Sequence, residues 1–490
     1  MIRLSRTLAC LLALSATTAG ASAQTPQTMK LTIEEAVRLA TDRSESIEAA
    51  RAGEERASAT TARTISQRLP QVNFTGTYTR TLASEFSRAF DTSSAPVCAP
   101  FTVDASKPLA DRVTEIERAA SCGSLSGGGL FNFSDLPFGQ KNAYQLGFSF
   151  GQSLYTAGRQ QAQERQANLG EQLAALATSG TQAQLALDVA RAYYNAALAV
   201  RLVAIAESAY AQADAAYEQT RLAFDAGRQP EFELLRAQVS RDNQRPTVIR
   251  RRADRDIALL RLRQLLELPQ GTALELDVDL ERPDLPPPTP FAEALASART
   301  ASTDTFLSLK QAEATVQLRD TGVALARAAR KPTLSLSSSL AGVGYPSSGV
   351  VPSFGDFRTN WSLSAVVQVP LLTGGRIAAD ERVASADLVE ARALQKQSRE
   401  LAELNAATAL QDLAAAEAVW QASAGTVEQA ERAYSIAELR NREGISTQLE
   451  LSDARLALEV ARANRAQAAH DVQIARARVA LTPSLPVGAR

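Results

Sequence analysis

The sequence predicts an α+β membrane protein, in which internally duplicated long α-helical hairpins join four transmembrane β-strands per chain. Three observations carry that expectation. The second half of the chain repeats the first at a fixed offset, four segments alternate apolar with small polar residues, and two very long stretches lack proline.

The totals narrow the function. Among 490 residues, 52 basic side chains balance 53 acidic ones, for a formal net charge of −1, which argues against a nucleic-acid partner. Aromatics are 5% of residues, and the 45% hydrophobic share is largely alanine, which suits thin helix–helix seams better than a bulky core. One histidine, His470, leaves most metal and acid–base chemistry without its usual side chain, and it reads as a polar-face helix residue. No nucleophile–base pair, metal cluster or cofactor loop is legible, so no enzyme, cofactor or metal site is expected. Gly127-Gly128-Gly129 is followed by no Lys-Ser/Thr and reads as a flexible stretch.

Residues 1–23 read as a signal peptide. Arg3 and Arg6 precede the apolar run Leu8–Ala16, and Ala21-Ser22-Ala23 fits the cleavage rule, so the mature chain is expected to start at Gln24. The residues before Cys10 fit a lipobox poorly, and no lipid anchor is expected there. No other uninterrupted apolar run approaches the ~20 residues of a membrane helix; the stretch Ala196–Ala206 is broken by Arg201. An exported chain of this kind is either soluble outside the cytoplasm or a β-barrel. Cys98 and Cys122 remain, an even pair that suggests one disulfide in an oxidising compartment.

The first repeat is expected over 24–281 and the second over 291–490. Arg159 aligns with Arg376, 217 positions on, and at that offset Tyr217 meets Tyr434, Gly227 meets Gly444 and Leu234 meets Leu451. The stretch 282–290, from Arg282 to Pro290, is proline-rich and joins the copies as a linker no helix continues through. Each copy orders a helix, two strands, a long helix, a turn and a returning helix. The first helix opens on Thr32 with Glu35 three residues later, the pattern of a capping box.

Four strands are expected, over about 71–80, 143–155, 332–341 and 360–371. Val72, Phe74 and Tyr78 alternate with Asn73, Thr75 and Thr77. Tyr144, Leu146, Phe148 and Phe150 alternate with Gln145, Gly147, Ser149 and Gly151. Leu334, Leu336 and Leu340 oppose Thr333, Ser335 and Ser337, and Trp361, Leu363 and Val367 oppose Ser362, Ser364 and Gln368. Such segments match transmembrane strands with a wet lumen, and equally a half-buried soluble sheet. Four strands close no hollow barrel, so in a membrane their edges must pair with other copies, and three copies would supply twelve strands. The insertion 81–142 reads as an external or lumen-folded loop.

Arg159–Ala226 contains no proline and would span ~100 Å as one helix; Arg376–Glu443 repeats it. In the second copy Leu413, Trp420, Val427 and Tyr434 fall seven apart, each followed by a small residue three positions on (Ala416, Ser423, Ala430, Ala437), which is a heptad seam. Turns are expected near 225–230 and 443–447, at Gly227 and Gly444, with Pro230 and Thr447 opening the return helices. Glu450 and Asp453 share a helix face, and with Glu233 they also suit helix N-termini.

The motifs Leu-Thr-Ile-Glu-Glu-Ala-Val-Arg-Leu-Ala (31–40), Leu-Pro-Gln-Val (69–72), Arg-Ala-Tyr-Tyr-Asn (191–195) and Gly-Ile-Ser-Thr-Gln-Leu-Glu-Leu-Ser-Asp-Ala (444–454) complete the pattern. So do the strand-to-helix signatures Gln-Ser-Leu-Tyr-Thr-Ala-Gly-Arg (152–159) and Val-Pro-Leu-Leu-Thr-Gly-Gly-Arg (369–376). In this order they resemble the TolC family of outer-membrane channel proteins over nearly all of the mature chain. The resemblance implies a homotrimer whose strands form one 12-stranded trimeric β-barrel in the outer membrane and whose helices form an α-barrel tunnel through the periplasm. It implies that the hairpin tips, with Gly227, Arg228, Gly444 and Ile445, dock a periplasmic adaptor (membrane fusion) protein bound to an inner-membrane RND or ABC pump. Ile445 matches the small hydrophobic residue the family carries after the tip glycine, and Arg228 departs from it. It implies an acidic ring at the periplasmic mouth, formed by Glu450, Asp453 and Glu233, that attracts cations. Some members of the family latch the mouth with a Tyr and an Arg on the last hairpin, and those positions read Asn441 and Ser446 here. Gly158, Arg159, Pro370, Gly374, Gly375 and Arg376 become the strand-to-helix junctions, and a Cys98–Cys122 bridge would brace the insertion.

The expected function is therefore a passive exit duct, in drug efflux or in type I secretion, in contact with outer-membrane lipid. A periplasmic coiled-coil adaptor or structural protein is the competing reading. It would use one hairpin and compact β-domains, and it leaves the duplicated hairpins and barrel strands without a role.

Overall fold

The structure is a computed structural model and describes residues 28–83, 101–121, 141–346 and 350–486, apart from positions 103, 270, 281, 283 and 284. In chain order the elements are β1 (Thr28–Leu31), α1 (Ile33–Arg43), α2 (Glu45–Ser66), β2 (Gln71–Arg80), α3 (Leu109–Ser121), β3 (Asn142–Tyr155), α4 (Arg159–Asp225) and α5 (Glu231–Leu265). There follow β4 (Ala273–Leu276), α6 (Thr289–Ala298), α7 (Leu307–Ala328), β5 (Thr333–Gly344), β6 (Phe357–Gln368), α8 (Arg376–Arg442) and α9 (Gln448–Leu481). The expected signal segment 1–23, Cys98, Cys122 and Gly127–Gly129 lie outside the described residues.

The duplication is visible in the helix boundaries. Helices α4 and α8 have 67 residues each, and both their starts (376 − 159) and their ends (442 − 225) are 217 apart. Helices α5 and α9 begin at the same offset (448 − 231).

Four differences from the sequence expectation have local causes. The described residues hold six strands rather than four, because β1 and β4 pair in parallel, Thr28 opposite Ala273 through Leu31 opposite Leu276; four-residue strands are too short to declare a period. The insertion 81–142 contains helix α3, whose last turns bury Ala119. The proline-rich linker ends inside a helix: α6 starts at Thr289, and Pro290 sits in its first turn, where a missing N–H costs nothing. The last strand stops at Gln368, not 371, because Pro370 has no amide for a ladder. Helix α5 also runs through Pro246, which leaves the carbonyl one turn earlier without its helical donor.

Two compact units cut across the two repeats. The first takes Gly170–Gln317 and Val389–Arg490 with the chain up to Ala57; the second takes Ser58–Leu169 and Leu318–Leu388. In the first unit the core gathers Leu31, Ile33 and Ala36, the middle of α4 around Leu187–Tyr194, Leu262, Phe291 and the α9 stretch Ala466–Ala480. Thr32 and Glu35 exchange their capping bonds at 3.1 and 3.2 Å. Tyr193 donates its hydroxyl to the Leu31 carbonyl at 3.0 Å and stands edge-on to Tyr194. Burial pushes both phenols above their usual range. The linker is fixed to this core: Leu285 is buried, its carbonyl accepts from Arg476, and the Pro286 carbonyl accepts from Gln473.

The second unit is built on one antiparallel sheet of order β2-β3-β5-β6. Adjacent strands β3 and β5 are separated in sequence by the whole first helical hairpin.

Candidate functional site

Every strand of the sheet carries an apolar and a small-polar row. Phe74, Phe148, Leu340 and Trp361 stand opposite one another across all four strands, and Asn73, Ser149, Ser339 and Ser362 form the adjacent row. The residue pairs alternate faces, so the first row lies on one side and the second on the other. The Phe74 and Phe148 rings are 5.0 Å apart and those of Tyr78 and Tyr144 are 4.8 Å apart, within the range of attractive aromatic pairs. Among the described residues nothing covers the apolar row: Phe74 is 61% exposed, Phe148 53% and Trp361 76%. The Trp361 indole donates to Ser338 Oγ at 3.0 Å, so its one polar atom is satisfied inside the sheet. Among the described residues strands β2 and β6 are the edges of this sheet, each with one ladder unpaired.

Both strand-to-helix junctions use one turn. The Arg159 amide donates to the Thr156 carbonyl and the Arg376 amide to Thr373, each at 3.0–3.1 Å. Between them Ala157 (φ 56°) and Gly158 (φ 88°) match Gly374 (φ 59°) and Gly375 (φ 82°). Two successive left-handed residues reverse the chain before the helix starts, which is why glycine recurs here. Pro370 lies two residues beyond the end of β6.

The hairpin tips are also built alike. Gly227 (φ 68°) and Gly444 (φ 73°) end α4 and α8 in the left-handed region. The next amides, Arg228 and Ile445, each donate five residues back, to Ala223 and Arg440, at 2.8 Å. This is the Schellman closure of a helix C-terminus. Both following side chains, Arg228 and Ile445, are exposed. Pro230 and Thr447 are the N-caps of α5 and α9, one position before the helix proper, and Thr447 Oγ1 accepts from the Glu450 amide at 3.4 Å.

The three acidic residues differ in surroundings. Glu450 and Asp453 sit exposed in the first turns of α9, and Glu450 lies 3.9 Å from Arg440. The Glu233 side chain is only 17% exposed and pairs with Arg236 at 3.7 Å, whose guanidinium covers the Phe232 ring. No hydrogen bond or ion pair joins Glu233 to the other two among the described residues. Asn441 Nδ2 donates to the Ser446 carbonyl at 3.2 Å, closing the second tip on itself. Arg442 pairs with Glu438 one turn away on α8 at 3.4 Å.

Along α8 the heptad positions are the covered ones. From Leu413 to Ala437 the partly or fully buried residues are Leu413, Ala416, Trp420, Ser423, Val427, Ala430 and Tyr434, with Glu417 and Ala437. Arg465 on α9 stacks on the Trp420 ring at 4.4 Å and bonds the Trp420 carbonyl and Ser423 Oγ.

Two polar clusters escape sequence reasoning. His470 is buried, not on a polar face: its Nε2 lies 2.8 Å from Asn195 Oδ1 and its Nδ1 2.8 Å from Asp471 Oδ1. Its partner is 275 residues away in the Arg-Ala-Tyr-Tyr-Asn motif, so no local pattern around His470 reveals it. The second cluster bridges the two hairpins: Gln448 Nε2 donates to Thr220 Oγ1 at 2.5 Å, and Arg455 to Ser240 Oγ at 2.8 Å.

A family model described as outer membrane efflux protein matches residues 36–267 and 306–482. No curated protein matches the sequence. Among solved structures, the chain is similar to the CmeC outer membrane channel of Campylobacter jejuni, at 15% identity over 93% of this chain and 86% of that one, with a TM-score of 0.69. It is similar to the outer membrane protein VceC of Vibrio cholerae, at 16% identity over 92% and 96%, with a TM-score of 0.69. The MtrE outer membrane channel of Neisseria gonorrhoeae, in its open state, shares 18% identity over 94% and 90%, with a TM-score of 0.63. At these identities the structural likeness establishes a TolC-like channel fold. The family match extends over both hairpins and all four strands of the large sheet, and on it the chain belongs to the outer membrane efflux protein family, located in the outer membrane of Gram-negative bacteria.

Proposed function

We propose that three copies of this chain form the exit duct of a tripartite efflux system, passively conducting substrate handed over by an adaptor and an inner-membrane pump. The observation that carries the reading is the sheet. It has one uncovered apolar face, one small-polar face and two unpaired edges, so a single copy satisfies neither its apolar surface nor its backbone. Pairing β6 of one copy with β2 of the next removes both edges, and three copies give twelve strands with the polar face inward. The paired hairpins of each copy would then line a tunnel. Exposed Arg228 and Ile445 at the tips would meet the adaptor, and Glu450 and Asp453 would ring the mouth.

The test is biochemical. The mature protein should fractionate with the outer membrane as a heat-resistant trimer and give discrete single-channel currents in planar bilayers. A soluble monomer in the periplasmic fraction overturns the proposal.

A further inference from the structure

Charge is nearly absent from the large sheet. Its four strands carry only two charged side chains, Arg80 of β2 and Arg358 of β6. The register puts them on opposite faces. Arg80 stands on the Phe74 side. Arg358 belongs to the row Thr77, Gln145, Val343 and Arg358, which lies on the side of Asn73, Ser149, Ser339 and Ser362. Every other paired position on that side is Gly, Ala, Val, Ser, Thr, Asn or Gln. The Arg358 side chain is exposed and makes no hydrogen bond or ion pair to a described residue. Its closest acidic neighbour along the chain, Asp356, spends its carboxylate on the Ser353 amide at 2.7 Å. Lys141, directly before β3 at the same end of the sheet, has the same sign as Arg358.

Nothing inside the sheet uses this guanidinium, and it stays charged at any physiological pH. On the trimeric duct reading, with the polar face inward, three copies place three such groups at one level of the lumen. A strand spacing of ~4.8 Å and a tilt of ~40° give a twelve-stranded barrel a backbone radius of roughly 12 Å. An arginine reaching half-way inward holds its charge within one Debye length of the axis, ~8 Å at physiological ionic strength. The strand wall around it is small and uncharged, so no carboxylate of the strands offsets the field. Rings of Arg or Lys favour anions in pores, as acidic rings favour cations. We propose that Arg358 is the charge-selecting residue of the barrel, where a ring of three guanidiniums favours small anionic solutes, and anionic groups on larger ones, over cations. Its sign is opposite to that of Glu450 and Asp453, so the duct carries two filters of opposite charge in series.

The measurement is the reversal potential of single channels of the full chain in planar bilayers, under a KCl gradient at low ionic strength. Arg358→Gln should lower the chloride-to-potassium permeability ratio several-fold, and Arg358→Glu should lower it further. In a Glu450→Gln, Asp453→Asn channel the opposing charge is gone, so the pore should prefer chloride, and adding Arg358→Gln should leave it nearly unselective. Arg80→Gln removes an equal charge from the same end of the sheet but the other face, and should move the ratio far less. An unchanged ratio in Arg358→Gln, or an equal shift in Arg80→Gln, rejects the ring while leaving the duct reading intact, because channels are still recorded. If the unaltered protein conducts no current, both readings fall. The yield of heat-resistant trimer shows that assembled channels are being compared. Should Arg358→Gln fail to assemble, the Glu450→Gln, Asp453→Asn channel decides by itself, since a pore that does not prefer chloride there rules the ring out.

Discussion

Ala157 holds a backbone conformation that its counterpart Gly374 adopts freely. A left-handed alanine costs about 1 kcal/mol relative to glycine, because its Cβ crowds the following carbonyl. Ala157→Gly is therefore expected to raise the unfolding midpoint in detergent, and Gly375→Ala, at φ 82°, to lower it by a similar amount. Far-UV circular dichroism on heating checks both; equal midpoints for the two variants would show that the turn is relaxed differently in solution. The two junction motifs were legible as a pair, Thr-Ala-Gly-Arg and Thr-Gly-Gly-Arg, but the alanine carried no sign that it is left-handed. His470 and Arg455 show the complementary limit. Both are polar residues in alanine-rich helices, where exposure is the default expectation. Their burial depends on Asn195 and Ser240, each more than 200 residues earlier in the chain.

At the scale of elements, periodicity was the reliable signal. The period of two placed the four long strands to within a few residues, and the period of seven picked out the covered stripe of α8. Elements without a period were missed: β1 and β4 are too short, and α3 lies in an insertion whose composition reads as a loop. The sheet makes a prediction of its own. If the Trp361 side faces lipid, Leu363→Lys on that face costs about 2–4 kcal/mol at mid-membrane, while Ser362→Lys on the opposite face is tolerated. The readout is the yield of heat-resistant oligomer in outer-membrane fractions. Equal yields for the two lysines would reject a lipid-facing apolar row.

At the scale of the whole molecule, the duplication explains why one chain has two junctions, two tips and two pairs of long helices. It also explains the inequality between them. The second tip keeps Ile445 and exposes Glu450 and Asp453; the first carries Arg228 and covers Glu233 with Arg236. Charge at the mouth is therefore expected to come from α9. Glu450→Gln with Asp453→Asn should weaken cation selectivity in planar bilayers several-fold and relieve block by multivalent cations, whereas Glu233→Gln alone should change selectivity little. Unchanged selectivity in the double variant removes the acidic ring from the conduction path.

By itself the sequence determined the repeat, the strand faces, the helix lengths and the turns, because each is a local or periodic property of neighbouring residues. Hydrophobic alternation, missing prolines and capping residues act within a few positions, and duplication reports itself at a constant offset. Only the tertiary structure decided which distant groups meet. It bound the linker to α9 through Arg476 and Gln473, buried His470 against Asn195, and set a charged guanidinium between two hairpins. Those contacts join residues far apart in the chain through side chains, and their energies depend on burial, which no local pattern of residues states.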